Sequence, residues 1–180
     1  MKIEMPVIVF VCLVIECIIA IPPISLSSAS SSSSSLTIDG ITCDKEEHFV
    51  SHIHMHLDIF INGKEFVVPS NIGIIPGNCI YWLHTHYDTG VIHLESPDTR
   101  TFTLGQFFHI WGETLSNNQI FNNMIGDKDN NTLNVYVNGK KVDSKTDYGQ
   151  TPLNEHDEIA IVYGKPPNSI PSNYGFPEGL

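Results

Sequence analysis

A regular alternation of apolar and polar residues near the middle of the chain constrains its fold most. From Ile53 to Ile61 every odd position is apolar, and the even positions up to Asp58 are polar. Side chains two residues apart point to the same face of an extended strand, so the pattern predicts a strand with one buried face. Asn62-Gly63 follows, and this pair favours a tight hairpin turn because both residues tolerate positive φ. The segment therefore predicts a β-hairpin with a row of histidines on its polar face.

The histidines themselves point to metal chemistry. Six of them lie in two short stretches of the 180-residue chain. Imidazole is a preferred ligand of zinc and copper, and a strand aligns every second side chain in a row. His52 begins the first row and is expected at the periphery of the site. The predicted metal ligands are His54, His56, His84, His86 and His93.

The second histidine stretch also predicts a hairpin. Ile80–His86 forms one strand, a four-residue turn follows, and Val91–Glu95 returns. With a turn of that length, His84 lies directly opposite His93. Opposed Cβ atoms are about 4.5–5.5 Å apart, which is close enough for two imidazoles to share an ion. A turn of odd length would pair His93 with Thr85 and remove it from the row.

Three acidic residues near the histidines extend the predicted site. Asp58, Asp88 and Glu95 are expected to accept hydrogen bonds from the imidazoles and to orient them around the ion. Glu95 is also the candidate general base. Copper or zinc is the expected ion. Iron is less favoured because it usually requires a carboxylate beside two histidines, a role that Glu95 could fill.

The rest of the pattern predicts an α+β fold. Thr103–Leu115 reads as a helix with Thr103 as its N-cap and an aromatic buried face. Leu133–Lys141 predicts another hairpin, and Glu158–Tyr163 predicts a last strand. The sum is a mostly antiparallel sheet built from hairpins, with one principal helix. A β-grasp-like arrangement and a small cupin-like barrel are the alternatives.

Composition divides the chain into four segments. Residues 1–29 are predicted to be a signal peptide or an N-terminal membrane anchor, because the apolar run Val7–Ile21 has only 15 residues and a membrane span needs about 20. Residues 30–37 form a Ser-rich linker, 38–164 a single metal-binding domain, and 165–180 an irregular tail. The domain is therefore expected outside the cytoplasm.

Charge and cysteines add further expectations. The formal net charge of −11 excludes the basic surface of a nucleic-acid-binding protein. Membrane contact is expected only through the N-terminal segment. Cys43 and Cys79 follow the predicted leader and would form a disulfide in an oxidising compartment, or alternatively act as thiolate ligands. Asn130 begins a glycosylation sequon.

Three segments of the chain resemble a known group of sequences. They are His52–Gly63 (HIHMHLDIFING), Tyr81–Pro97 (YWLHTHYDTGVIHLESP) and Arg100–Gly112 (RTFTLGQFFHIWG). They lie within residues 52–112, a span of about a third of the chain, and they resemble a family of uncharacterised exported proteins from archaea and bacteria. The resemblance implies that the histidine segments belong to one recurring module. It implies no activity and no catalytic residue.

Three functions fit the sequence. The first is an extracytoplasmic copper- or zinc-binding protein that passes its ion to an exported metalloprotein. The second is a secreted mononuclear metalloenzyme, acting by hydration, hydrolysis or cupin-like oxygenation with Glu95 as base. The third is an interaction domain without a metal. The chain has no Gly-x-Ser-x-Gly elbow, phosphate loop or dinucleotide fingerprint that would indicate another enzyme class.

Overall fold

The computed structural model describes residues 36–126 and 131–180. In this part of the chain the structure is mostly antiparallel sheet with one α-helix, which confirms the predicted α+β class. None of the helices in the described ranges is long and apolar enough to cross a membrane. The expectations for the leader, for most of the Ser-rich linker and for Asn130 concern residues outside the described ranges.

The strands are mostly short, and two helices separate some of them. The strands are β1 (Thr37–Ile38), β2 (Ile41–Asp44), β3 (Ser51–Ile61), β4 (Lys64–Phe66), β5 (Ile74–Ile75), β6 (Cys79–Tyr81), β7 (Leu83–His84), β8 (Val91–Ser96), β9 (Leu115–Ser116), β10 (Gln119–Ile120), β11 (Asn123–Met124), β12 (Leu133–Val137), β13 (Lys140–Lys141) and β14 (Glu158–Tyr163). The helices are α1 (Leu104–Trp111) and a 3-10 turn at Tyr148–Gln150.

The largest sheet contains both histidine stretches. Its strands follow the order β13-β12-β14-β3-β8-β7, and β4 pairs with the second half of β3. All of these pairs are antiparallel except β3 with β14, which run parallel at the centre of the sheet. The first half of β3 pairs with β8, so β3, β8 and β7 are consecutive neighbours. This order positions the candidate site.

Two smaller sheets complete the described part. One has the order β1-β2-β6-β5, and the other has the order β11-β10-β9. A disulfide between Cys43 and Cys79 ties β2 to β6, with 5.3 Å between the Cα atoms. Since both sulfurs are in this bond, neither cysteine is available as a thiolate ligand.

The odd face of β3 is buried in the core, as its alternation predicts. Met55, Leu57 and Ile59 are at most 1% exposed, and they belong to the same hydrophobic cluster as Phe107 and Phe108 of α1. Full burial of such side chains contributes about 1.5–3 kcal/mol each. The odd positions of β3 therefore hold the sheet against the rest of the core.

Helix α1 is shorter than its sequence predicts. Thr103 is the N-cap, and its backbone N–H donates to the Gln106 Oε1 at 3.0 Å. The helix ends at Trp111, because Gly112 adopts the left-handed conformation with φ of 81°. The predicted end at Leu115 was wrong, and Leu115 instead begins β9.

The even face of the sheet is also buried, which the alternation did not predict. His54 and His56 are about 5% exposed, and every residue of β8 is buried. The C-terminal segment 165–180 contains no strand or helix. It nevertheless packs on this face, where the ring of Tyr174 stacks on His56 at a centroid distance of 3.8 Å. His54 and His56 are therefore internal, whereas His52 stays exposed at the start of the row.

The disulfide should stabilise the fold by restricting the unfolded chain. Replacing Cys43 and Cys79 together by Ala opens a loop of 36 residues and should lower the free energy of unfolding by about 2–4 kcal/mol. Urea denaturation followed by far-UV circular dichroism measures this change. The reduced wild type should be destabilised by a similar amount. Equal unfolding midpoints for oxidised wild type and double variant would contradict a stabilising bridge.

Candidate metal centre

Three neighbouring strands place their histidines in one line across the sheet. His54 of β3 pairs with His93 of β8, and His93 pairs in turn with His84 of β7. The pairing of His84 with His93 is the one that a four-residue turn predicts. The ring centroid of His93 lies 4.6 Å from that of His54, 5.3 Å from that of His84 and 4.6 Å from that of His86. The two predicted rows therefore converge on His93.

Glu95 brings a carboxylate into the same cluster. It follows His93 by two residues and pairs across the sheet with His52. Its side chain is only 4% exposed, and its Oε1 lies 3.4 Å from the His52 Nε2 and 3.9 Å from the His84 Nε2. Sequence analysis assigned Glu95 to an orienting or proton-accepting role. The structure places it among the imidazole nitrogens, where it is a possible ligand.

His84 has the tautomer that a metal ligand needs. Its Nδ1–H donates to the carbonyl oxygen of Tyr81 at 2.9 Å, which leaves a lone pair on Nε2. The His84 Nε2 lies 3.2 Å from the His86 Nε2. Two nitrogens bound tetrahedrally to one ion at about 2.0–2.1 Å are about 3.3 Å apart. The pair therefore has the separation of two ligands of one ion.

Several buried atoms of this cluster have no hydrogen-bond partner within the described residues. They are the His54 Nε2, the His93 Nδ1 and the Glu95 Oε2. Buried polar groups almost always have a partner, and an unmet one costs about 1–3 kcal/mol. The His93 Nδ1 lies 3.6 Å from the Glu95 Oε1, beyond hydrogen-bond distance, and a cation is a partner that such nitrogen and carboxylate atoms can share. Their concentration at one place is therefore a specific sign of a ligand.

Burial keeps the imidazoles neutral and able to coordinate. Burial, with the charges of His93 and His52, lowers the pKa of His54 to about 4. Burial likewise lowers the pKa of His84 to about 4, and it lowers the pKa of His86. A histidine binds a metal only in its neutral form. At neutral pH these side chains are therefore in the metal-binding state.

The described residues contain three groups of possible metal ligands whose donor atoms lie within 4.8 Å of one another: two overlapping sets of four around His93, and a separate group of His56, Asp58 and Glu158. The β7 set consists of His84, His86, His93 and Glu95. The β3 set consists of His52, His54, His93 and Glu95. His52 was predicted at the periphery of the site, although it lies on the same face of β3 as His54. Its inclusion follows from the register that places Glu95 opposite it.

His56 lies outside both sets of four and belongs to the third group, with Asp58 and Glu158. Its Nδ1–H donates to the Glu158 Oε2 and its Nε2–H to the carbonyl oxygen of Thr89, both at 2.8 Å. Burial alone would lower the pKa of His56, but the hydrogen bond and charge of Glu158 raise it. Because both nitrogens face acceptors, the surroundings of His56 favour its protonated form, paired with Glu158.

The remaining predicted carboxylates lie away from the two donor sets. Asp58 belongs to a group with His56 and Glu158, and burial raises its pKa to about 6. Asp88 is exposed in the turn before β8 and joins none of the donor groups in the described ranges. Glu158 was missed, because only the parallel register of β14 with β3 places it beside His56. No sequence pattern encodes that register.

Comparisons with known proteins add no further assignment. No protein-family model matches the chain, and no curated protein or solved structure matches it either.

The ion pair of His56 should be structural, and its removal should destabilise the metal-free protein. His56→Ala leaves the buried Glu158 carboxylate without its partner, so the free energy of unfolding should fall by about 3–5 kcal/mol. His52→Ala is the matched control, since it removes a half-exposed imidazole from the same face of the same strand. Its effect should stay within about 0.5 kcal/mol. Equal losses in the two variants, measured by urea denaturation, would refute the assignment.

Proposed function

We propose that the protein binds a transition-metal ion, copper or zinc, outside the cytoplasm. The observation that carries the proposal is the convergence of five imidazoles, three of them buried, and one buried carboxylate, with unpartnered donor atoms on three of the residues in the described part of the chain. Burial of such polar groups costs free energy unless each of them gains a partner. A metal ion is the partner that accepts lone pairs from several imidazoles and a carboxylate together.

The donor chemistry supports copper or zinc. The two sets offer imidazole nitrogen and carboxylate oxygen, which both ions accept. Thiolate donors are excluded for Cys43 and Cys79 by their disulfide. Among divalent first-row ions, copper binds such donors most tightly. The net charge of −11 also raises the local concentration of cations around the domain.

Separate features support the extracytoplasmic location of the protein and the exchange of its ion. A disulfide is typical of proteins in oxidising compartments, and the apolar N-terminal run is typical of exported chains. His52 and His86 are the most exposed donors, with side chains 37% and 34% exposed. Partly exposed donors at the edge of the cluster suit exchange of the ion with an exported metalloprotein.

Metal binding is tested on protein purified without a histidine tag. We expect copper or zinc to bind, and metal at about a hundred times its Kd to raise the free energy of unfolding by about 2.7 kcal/mol. Replacing His84 and His86 together by Ala should abolish binding at the β7 set. Isothermal titration calorimetry and elemental analysis after dialysis measure both effects.

The control is His109→Ala. His109 is an exposed histidine that pairs with Asp39 and belongs to neither donor set. This variant should bind metal as the wild type does. A wild type that retains neither copper nor zinc after dialysis, and whose stability neither ion changes, would refute the proposal.

A further inference from the structure

We propose that the centre holds two transition-metal ions side by side, with the Glu95 carboxylate bridging them. The inference rests on the proposed metal-binding function and specifies how many ions the centre holds. One ion belongs to the β7 set and the other to the β3 set, and each set contributes two histidines of its own. Glu95 and His93 are common to both sets.

The order of the strands explains this sharing. β8 lies between β3 and β7, so its inward-facing side chains are neighbours of both. His93 and Glu95 are the residues that β8 presents there. Each flanking segment supplies a His-x-His pair, with His52 and His54 on one side and His84 and His86 on the other. The central strand therefore contributes the common donors.

Distances argue against a single ion bound by all six residues. Bonds of about 2.0–2.2 Å allow two ligands of one ion to be at most about 4.4 Å apart. The donors of the two sets do not form one group even within 4.8 Å; they divide into two groups of four. Four is also the usual coordination number of zinc with such ligands. The arrangement gives each ion two histidines of its own and a share of the Glu95 carboxylate, and the single lone pair of a neutral His93 ring can complete only one of the two positions.

Glu95 has the position and free atoms that a bridge requires. Its Oε1 lies 3.4 Å from a nitrogen of the β3 set, on His52, and 3.9 Å from a nitrogen of the β7 set, on His84. Its Oε2 is buried without a hydrogen-bond partner in the described ranges. A carboxylate has two oxygens and can bind a separate cation with each of them. Its negative charge also reduces the repulsion between two adjacent dications.

The sequence offers a matched pair of variants to test this arrangement. His52→Ala and His86→Ala each remove a histidine that belongs to one set only, and these are the two most exposed donors, so folding should be little affected. Equilibrium dialysis against Zn²⁺ with elemental analysis gives the stoichiometry. We expect two ions in the wild type and in His109→Ala, one in His52→Ala and one in His86→Ala. Far-UV circular dichroism of the metal-free variants verifies the fold.

The bridge itself is tested with Cu²⁺ and electron paramagnetic resonance. Two copper ions joined by a carboxylate couple their spins, so the integrated signal of the doubly loaded wild type should be below its copper content. Singly loaded His52→Ala should give the full signal. Glu95→Gln, which has one weaker oxygen donor, should bind both ions at least tenfold more weakly.

The possible failures are distinguishable. One zinc ion in the wild type, lost in both His52→Ala and His86→Ala, would overturn the two-ion inference and leave the metal-binding function intact. Two copper ions with a full, uncoupled signal would overturn the bridge. A wild type that binds no ion would overturn the proposed function together with this inference.

Discussion

The pairing of β8 with both β3 and β7 is the constraint on which the candidate site depends. A shift of one residue in either register would turn every imidazole of a strand to the opposite face. The observed registers align His54, His93 and His84 in a single line across three strands. They also set Glu95 beside His52. The site is therefore a property of strand pairing rather than of any one motif.

The same pairing buries imidazole nitrogens, which need partners in place of water, and the structure differs between His56 and His93 in whether it provides them. Most of the polar face of β3 is covered, so His54 and His56 have little contact with water. At His56 the partners are present, because Glu158 and the Thr89 carbonyl accept both ring protons and Tyr174 covers the ring. Around His93 the described residues provide no such partners for three of the buried donor atoms. The histidines of β3 therefore have two different surroundings. His56 pairs with Glu158, whereas His52 and His54 belong to the group of possible metal ligands.

Local patterns in the sequence were sufficient for the hairpins but not for their assembly. The alternation of β3, the Asn62-Gly63 turn and the turn predicted before β8 are short-range signals, and they predicted β3, β8 and the pairing of His84 with His93. The prediction of one strand over Ile80–His86 was wrong, because the structure divides it into β6 and β7 and ends β7 at His84. Burial of the polar face depends on the C-terminal segment, and the role of His56 depends on β14. Both contacts join residues more than a hundred positions apart. Periodicity contains no information about such contacts.

This division also explains why the cluster can be a good metal centre and a poor part of the core. Its donors lie on or beside paired strands and are held by backbone hydrogen bonds, so little side-chain freedom remains to be lost on binding. Each of the unpartnered atoms costs about 1–3 kcal/mol in the metal-free protein. Coordination of a cation, as proposed, would release that cost, so the geometry that weakens the metal-free fold would favour binding.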